Sequence, residues 1–264
     1  ANVNDIQELR QSAEAGDAGA QLELGKKYDR GEGLEEDHEK AFVWYLKAAE
    51  QGNSVAEYMI GHMYRHGEGV EQDTEKAFEW ISKAAEQSDT AAQHMLAGMY
   101  DRGEGIEEDD KRAVEWYRKS AEQGNPWAQV HFARMYDRGE GIDEDDQKAV
   151  EWYRKAAEQE NVSGQIALGD MYRNGGGVVE DDEKALKWYR RTAEQGSRGG
   201  QRALARAYSK GEIVEEDQAK AVEWYTKSAE QGDYLAQYWL AIKYFDGKGL
   251  EKDHKKAVEW YQKA

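Results

Sequence analysis

Seven tryptophans, Trp44, Trp80, Trp116, Trp152, Trp188, Trp224 and Trp260, stand 36 residues apart along the chain. A fixed period of that length marks a stacked-repeat architecture, in which each unit buries its apolar face against its neighbours. With position 1 set at Ala20, units begin at residues 20, 56, 92, 128, 164, 200 and 236 without an insertion, the last being shorter. Tyrosine shares the phase: position 9 is Tyr in every unit from Tyr28 to Tyr244, and position 26 is Tyr in six, with Ile81 in the second. The expectation is one domain over 1–264.

Inside a unit, small or apolar residues at positions 1, 5, 6, 8 and 9 (Ala128, Phe132, Ala133, Met135, Tyr136) have helical spacing. So do those at 22, 25, 26, 29 and 30 (Ala149, Trp152, Tyr153, Ala156, Ala157). Each unit is therefore read as two helices. Asp, Asn or Ser at position 34 (Asp17, Asn53, Asp89, Asn125, Asn161, Ser197, Asp233) is placed to cap the first, and the only proline, Pro126, opens one at its first helical position. Glycine at position 12 (Gly31, Gly67, Gly103, Gly139, Gly175, Gly211, Gly247) predicts a left-handed stop. Asp at position 18, from Asp37 to Asp253, predicts the cap of the second helix. Residues 1–19 align with a second helix of an earlier unit and are expected to form a capping helix, while the chain stops inside a second helix, predicting an open stacking end. Each Trp of position 25 is expected to be buried between its own helices and the next unit.

Composition closes other classes. A net charge of −18 would suit disorder, but nine Trp, sixteen Tyr and four Phe are groups that must be buried. The absence of cysteine leaves no disulfide framework and no thiolate chemistry. No apolar run approaches the roughly 20 residues of a membrane span, so no membrane insertion is expected. The N-terminus carries no basic-plus-apolar signal pattern, leaving a soluble bacterial protein, cytoplasmic or exported after removal of a leader, as the expectation. Acidic residues concentrate at positions 13, 16, 17 and 18 of the loop, as in Glu104-Gly105-Ile106-Glu107-Glu108-Asp109. That ridge argues against nucleic acid and favours a solvated edge, with a divalent-cation site as the sharper alternative.

The run Leu168-Gly169-Asp170-Met171-Tyr172, followed by Gly-x-Gly-aliphatic, Asp, Lys-Ala, Trp-Tyr and Ala-Glu-Gln-Gly, closely resembles the Sel-one-like repeat (SLR), a relative of the tetratricopeptide repeat. The resemblance covers essentially the whole chain and implies an all-α, right-handed αα-superhelix, here with about 15 helices and no sheet. Departures are local: Ser88 and Glu160 replace the glycine of position 33, Ile213 replaces the second loop glycine, and Ala97, Ala133, Ala205 and Ala241 replace the glycine of position 6. The resemblance further implies that the first-helix face opposite the packing side lines a concave groove that holds a protein or peptide.

Between units the packing positions scarcely differ, while positions 3 and 7 vary strongly, and the groove carries a small positive excess of charge. Tyr58, His62, His66, His94, Trp127, Arg134, Arg138, Arg173, Arg206 and Tyr238 are the candidate partner-binding residues, because Arg beside exposed aromatics is the composition of interface hot spots. The partner is accordingly expected to be acidic, and end-to-end self-association through the open repeat is a further possibility. His62, His66 and His94 could form a three-histidine metal site, but no Glu neighbours either His of the i, i+4 pair in the metalloprotease pattern, and no metal or other cofactor is expected. Relatives with cysteine-rich copies of the repeat are associated with β-lactam hydrolysis. This chain has no Ser-x-x-Lys, Ser-Asp-Asn or Lys-Thr-Gly, so the expectation is no enzyme but an adaptor or scaffold. The runner-up is a secreted or surface protein binding a host factor or a divalent cation.

Overall fold

The computed structural model describes residues 3–264. Among them there are helices and no strands. Capping helix α1 spans Val3–Glu14. First helices of the units are α2 (Ala18–Arg30), α4 (Ser54–His66), α6 (Thr90–Arg102), α8 (Pro126–Arg138), α10 (Val162–Asn174), α12 (Arg198–Lys210) and α14 (Tyr234–Asp246). Second helices are α3 (His38–Ala49), α5 (Thr74–Glu86), α7 (Asp110–Glu122), α9 (Asp146–Glu158), α11 (Asp182–Glu194), α13 (Gln218–Glu230) and α15 (His254–Lys263). The fold class is thus the all-α helical-repeat class that the sequence pattern implied. The chain divides into two compact units, one running to Ala128 and including Glu140–Asp143, the other made of Gln129–Gly139 and Glu144–Ala264.

The punctuation works as its chemistry requires. Asp73 accepts a hydrogen bond from the Lys76 amide at 2.9 Å, and every other position-18 Asp does the same three residues on. The carboxylate thereby satisfies one orphan amide of its helix. The Lys40, Lys76, Lys148, Lys184 and Lys220 ammonium groups pair with these carboxylates while lying 5.1–5.6 Å from the position-9 Tyr rings. Gly139, at φ +67°, ends α8 in the left-handed region, as its six counterparts end theirs.

At position 33 glycine is replaced twice, and Ser88 (φ 67°) and Glu160 (φ 62°) are held left-handed nonetheless. A side chain with a Cβ is disfavoured there. Ser88→Gly and Glu160→Gly are each expected to raise stability by about 0.5–1 kcal/mol in denaturant melts. An unchanged or lowered midpoint would show that the turn carries no strain. Ile213, in place of the loop glycine, keeps φ out of the left-handed region and packs against the apolar cluster of α11–α14.

One expectation is corrected. The position-25 tryptophans are only half-buried, each with a basic side chain over its indole, as for Lys155 at 3.6 Å from the Trp152 ring. The fully enclosed aromatic is its neighbour at position 26: Tyr45, Tyr117, Tyr189 and Tyr225 are at most 2% exposed. Adjacent residues of a helix differ by about 100° in direction, so one of the pair must face the core and the other its rim. The rings of Tyr45 and Tyr189 lie where a Cβ on Gly25 or Gly169 would sit, which accounts for glycine at position 6 in those units.

A row of amides runs alongside this apolar core, buried at position 2 and exposed at position 32. Gln51, Gln123, Gln159 and Gln231 each donate from Nε2 to the Oε1 of Gln21, Gln93, Gln129 and Gln201, at 2.7–2.9 Å. The Nε2 groups of Gln21, Gln93, Gln165 and Gln237 in turn donate to the carbonyls of Ala13, Ala85, Ala157 and Ala229 in the preceding second helix. Glu57 stands in this row, accepts from Gln87 at 2.6 Å, and has its pKa raised by burial. On α15, Val258 and Tyr261 are exposed, whereas their counterparts Val114, Val150 and Tyr117 are buried.

Candidate partner-binding face

Positions 3, 4 and 7 of the first helices form a face that is partly exposed in most units, because residues three and four apart lie together and the core claims positions 1, 5 and 8; Leu22 at position 3 is the buried exception, with Gly98 at position 7. On α4 this face carries an aromatic row. Tyr58 and His62 have ring centroids 6.4 Å apart, and His62 and His66 4.4 Å. His62 Nδ1 lies 3.3 Å from the Glu68 carboxylate, yet burial, followed by the neighbouring His66, holds its pKa below the usual imidazole value. His94 packs on the Tyr117 ring at 5.8 Å, and burial, with Arg102 adding to it, pushes its pKa down to about 4. Among the described residues no three His, Asp or Glu side chains converge as a metal site.

The sign of the His94 shift gives a pH test. The folded pKa of about 4 lies below the unfolded value near 6.5, so the unfolded chain holds the proton in between. The contribution of a neutral His94 is complete above about pH 6.5 and is lost as pH falls toward 4. Thermal melts at pH 7.5 and 4.5 should therefore differ less for His94→Gln than for the parent chain; equal differences would remove His94 from the acid response.

Several groove cations have fixed partners. Arg65 is held by both oxygens of Glu104, at 2.5 and 2.8 Å, tying α4 to the loop of the next repeat. Arg134 lies 2.9 Å from the His131 ring. Trp127, at the start of α8, is 55% exposed, and Arg138 at its end is exposed.

The face closes into a depression where α10, α12 and α14 lie side by side. It encloses about 180 Å³, with Ile166 and Asp170 from α10, Gly199, Arg202, Ala203 and Arg206 from α12, and Leu235 and Trp239 from α14. Tyr225 of α13 completes its lining. Arg202 donates to both oxygens of the buried Asp233, at 3.1 and 3.0 Å, and is thereby locked. Arg206 stands 3.6 Å from Asp170, whose carboxylate also accepts from the Tyr189 hydroxyl at 2.6 Å and pairs with Arg173 at 3.3 Å. Nearby, Tyr238 makes edge contacts with Trp239 at 5.5 Å and Tyr261 at 5.8 Å. Two larger clefts lie elsewhere: one of about 470 Å³ beside Trp116, Lys119 and Gln123, and one of about 590 Å³ on α11 among Lys187, Arg190 and Glu194. Both have charged rims of mixed sign.

Of the candidates named from sequence, Tyr58, His62 and His66 are therefore brought together on α4, and Arg173 and Arg206 converge on Asp170. His94 is turned toward Tyr117. Ile166, Gly199, Ala203 and Leu235 were missed as site residues. Their signal was the small pair Gly199/Ala203 at positions that hold Val55/Met59, Trp127/His131 and Leu235/Trp239 elsewhere.

The Sel1 repeat model matches the chain over residues 18–53, 54–89, 90–125, 128–161, 162–197, 199–233 and 235–264. Among solved structures, the chain is similar to the protective antigen c5321 of uropathogenic Escherichia coli, which displays an SLR fold, with 36% identity and a TM-score of 0.72 over 99% of this chain and 64% of that one. It thus spans just under two thirds of the antigen's length. A Sel1 repeat protein from Oxalobacter formigenes is 36% identical with a TM-score of 0.77, over 98% of this chain and 75% of that one. Immunity protein Pa5087 from Pseudomonas aeruginosa, at 23% identity and a TM-score of 0.57 over 80% of each chain, shares the fold alone. Against curated proteins the chain has no match.

Proposed function

The chain belongs to the Sel1 repeat family, whose members are generally protein-interaction modules, and on that premise we propose that it is a non-catalytic adaptor binding an acidic protein or peptide on its first-helix face. One observation carries the reading. The positions buried in every unit hold the same residue types, while positions 3 and 7 of the first helices differ from unit to unit and bear guanidinium groups beside aromatic rings. Stacking alone dictates the first set, and a particular partner selects the second. Among the described residues no helix is long and apolar enough to cross a membrane.

Charge reversal tests the face. Arg138→Glu with Arg206→Glu should leave the thermal melt nearly unchanged, since both side chains lie off the core, yet weaken capture of the partner from cells of the source organism by roughly tenfold or more. The control, Glu107→Lys with Glu108→Lys on the acidic ridge, should change association rate and little else. Loss of capture in the control but not in the reversal would move the functional surface to the loops.

A further inference from the structure

We propose that the depression between α10, α12 and α14 takes a single branched aliphatic or aromatic side chain of an extended acidic peptide, with the adjoining carboxylate of that peptide paired to Arg206. The proposal rests on the interaction reading above and names what one part of that face recognises.

Size is the first argument. An enclosed volume of about 180 Å³ is well above the roughly 10–15 Å³ that one water needs and below the roughly 300–1,000 Å³ of sites for drug-sized ligands. One large side chain matches it. The space exists because α12 presents Gly199 and Ala203 where α4, α8 and α14 carry the bulkier pairs Val55/Met59, Trp127/His131 and Leu235/Trp239, so that Ile166 on one side and Leu235 and Trp239 on the other stand as walls. A Cβ on Gly199 would already come within 3.1 Å of Ile166 Cδ1.

Charge is the second. Arg173, Arg202 and Arg206 face two carboxylates, Asp170 and Asp233. Asp233 is committed to Arg202, and Asp170 is shared between two guanidinium groups and the Tyr189 hydroxyl. Glu212, the next carboxylate, is taken by Lys210 at 3.1 Å. Among these paired groups the guanidinium groups outnumber the carboxylates by one, and the guanidinium with the longest ion pair is Arg206, which itself lines the depression. A carboxylate arriving there can make a two-pronged contact of the kind guanidinium favours, while its neighbouring side chain enters the depression.

Three small probes separate the components: N-acetyl-leucine, which has both features; N-acetyl-leucinamide, which lacks the charge; and acetate, which lacks the side chain. Each is titrated into isotope-labelled protein while the amide signals of Gly199 and Ala203 and the Trp239 indole signal are followed. Saturable shifts are expected for N-acetyl-leucine, with affinity roughly tenfold above either partial probe. Ala203→Leu, which fills the space, should abolish the response, and Arg206→Gln should bring N-acetyl-leucine down to the level of its amide without changing the amide itself. Equal affinity for the three probes, shifts centred elsewhere, or indifference to both substitutions would overturn the proposal. The capture experiment reads the adaptor function separately: a partner still held by Ala203→Leu but lost on charge reversal would leave the adaptor standing and remove this pocket from it.

Discussion

Tyr189→Ala is expected to lower stability by about 3–5 kcal/mol, and its sequence neighbour Trp188→Ala by clearly less, although tryptophan is the larger residue. Tyr189 is 1% exposed, lies against Gly169, and donates its hydroxyl to Asp170 at 2.6 Å, so truncation opens a cavity and strips the half-exposed Asp170 carboxylate of a donor. Trp188 lies at the rim with the Arg191 guanidinium 5.6 Å from its ring centre, and much of what it loses is contact that water can replace. Tyr189→Phe separates the two components and should account for about 1 kcal/mol. Urea melts followed by circular dichroism give the ranking. Equal losses at 188 and 189 would mean that the core is organised around the indoles after all.

The second large effect is expected in a loop. Gly141→Val should cost about 3 kcal/mol or more, because two penalties coincide. Its φ is +69°, where a β-branched residue is badly strained, and a Cβ there would meet the Asp110 carbonyl oxygen at 2.5 Å, at the start of α7. Gly124 provides the comparison: its φ is +92° and a Cβ would meet nothing within 4 Å, so Gly124→Ala should lose only the conformational part, about 1 kcal/mol. Similar losses at both glycines would show that close approach between loop and helix contributes nothing at Gly141.

The period made the local structure legible. Left-handed glycines at position 12, carboxylate caps at position 18 and amide-capping side chains at position 34 depend on a few neighbouring residues, and spacing alone identified them. Choosing between Trp188 and Tyr189 as the core aromatic required knowing where the apolar face is centred, and two adjacent aromatics leave that ambiguous. The candidate site was legible as a face rather than as a pocket. Nothing in the sequence marks Arg65 as held by Glu104, 39 residues on, or Arg202 as held by Asp233, 31 residues on. Such pairings depend on how one unit rests on the next. The buried glutamines were hidden for a different reason: polar side chains at fixed positions read as surface until their hydrogen bonds are known.

Those glutamines bear on how the length of such a chain can change. In five units the side chain at position 32 bonds to that at position 2, and in four the position-2 amide bonds to the carbonyl of position 30 in the helix before, so each such stitch uses an interval that recurs with the period. A recombination event that removes or duplicates 36 residues in phase rejoins donors to acceptors of the same kind, whereas a change of any other length strands buried amides without partners, at about 1–3 kcal/mol each. The amide row therefore ties the physically cheap changes of length to the period: adding or removing a whole unit leaves its bonds intact, whereas a single-residue insertion within a helix breaks them.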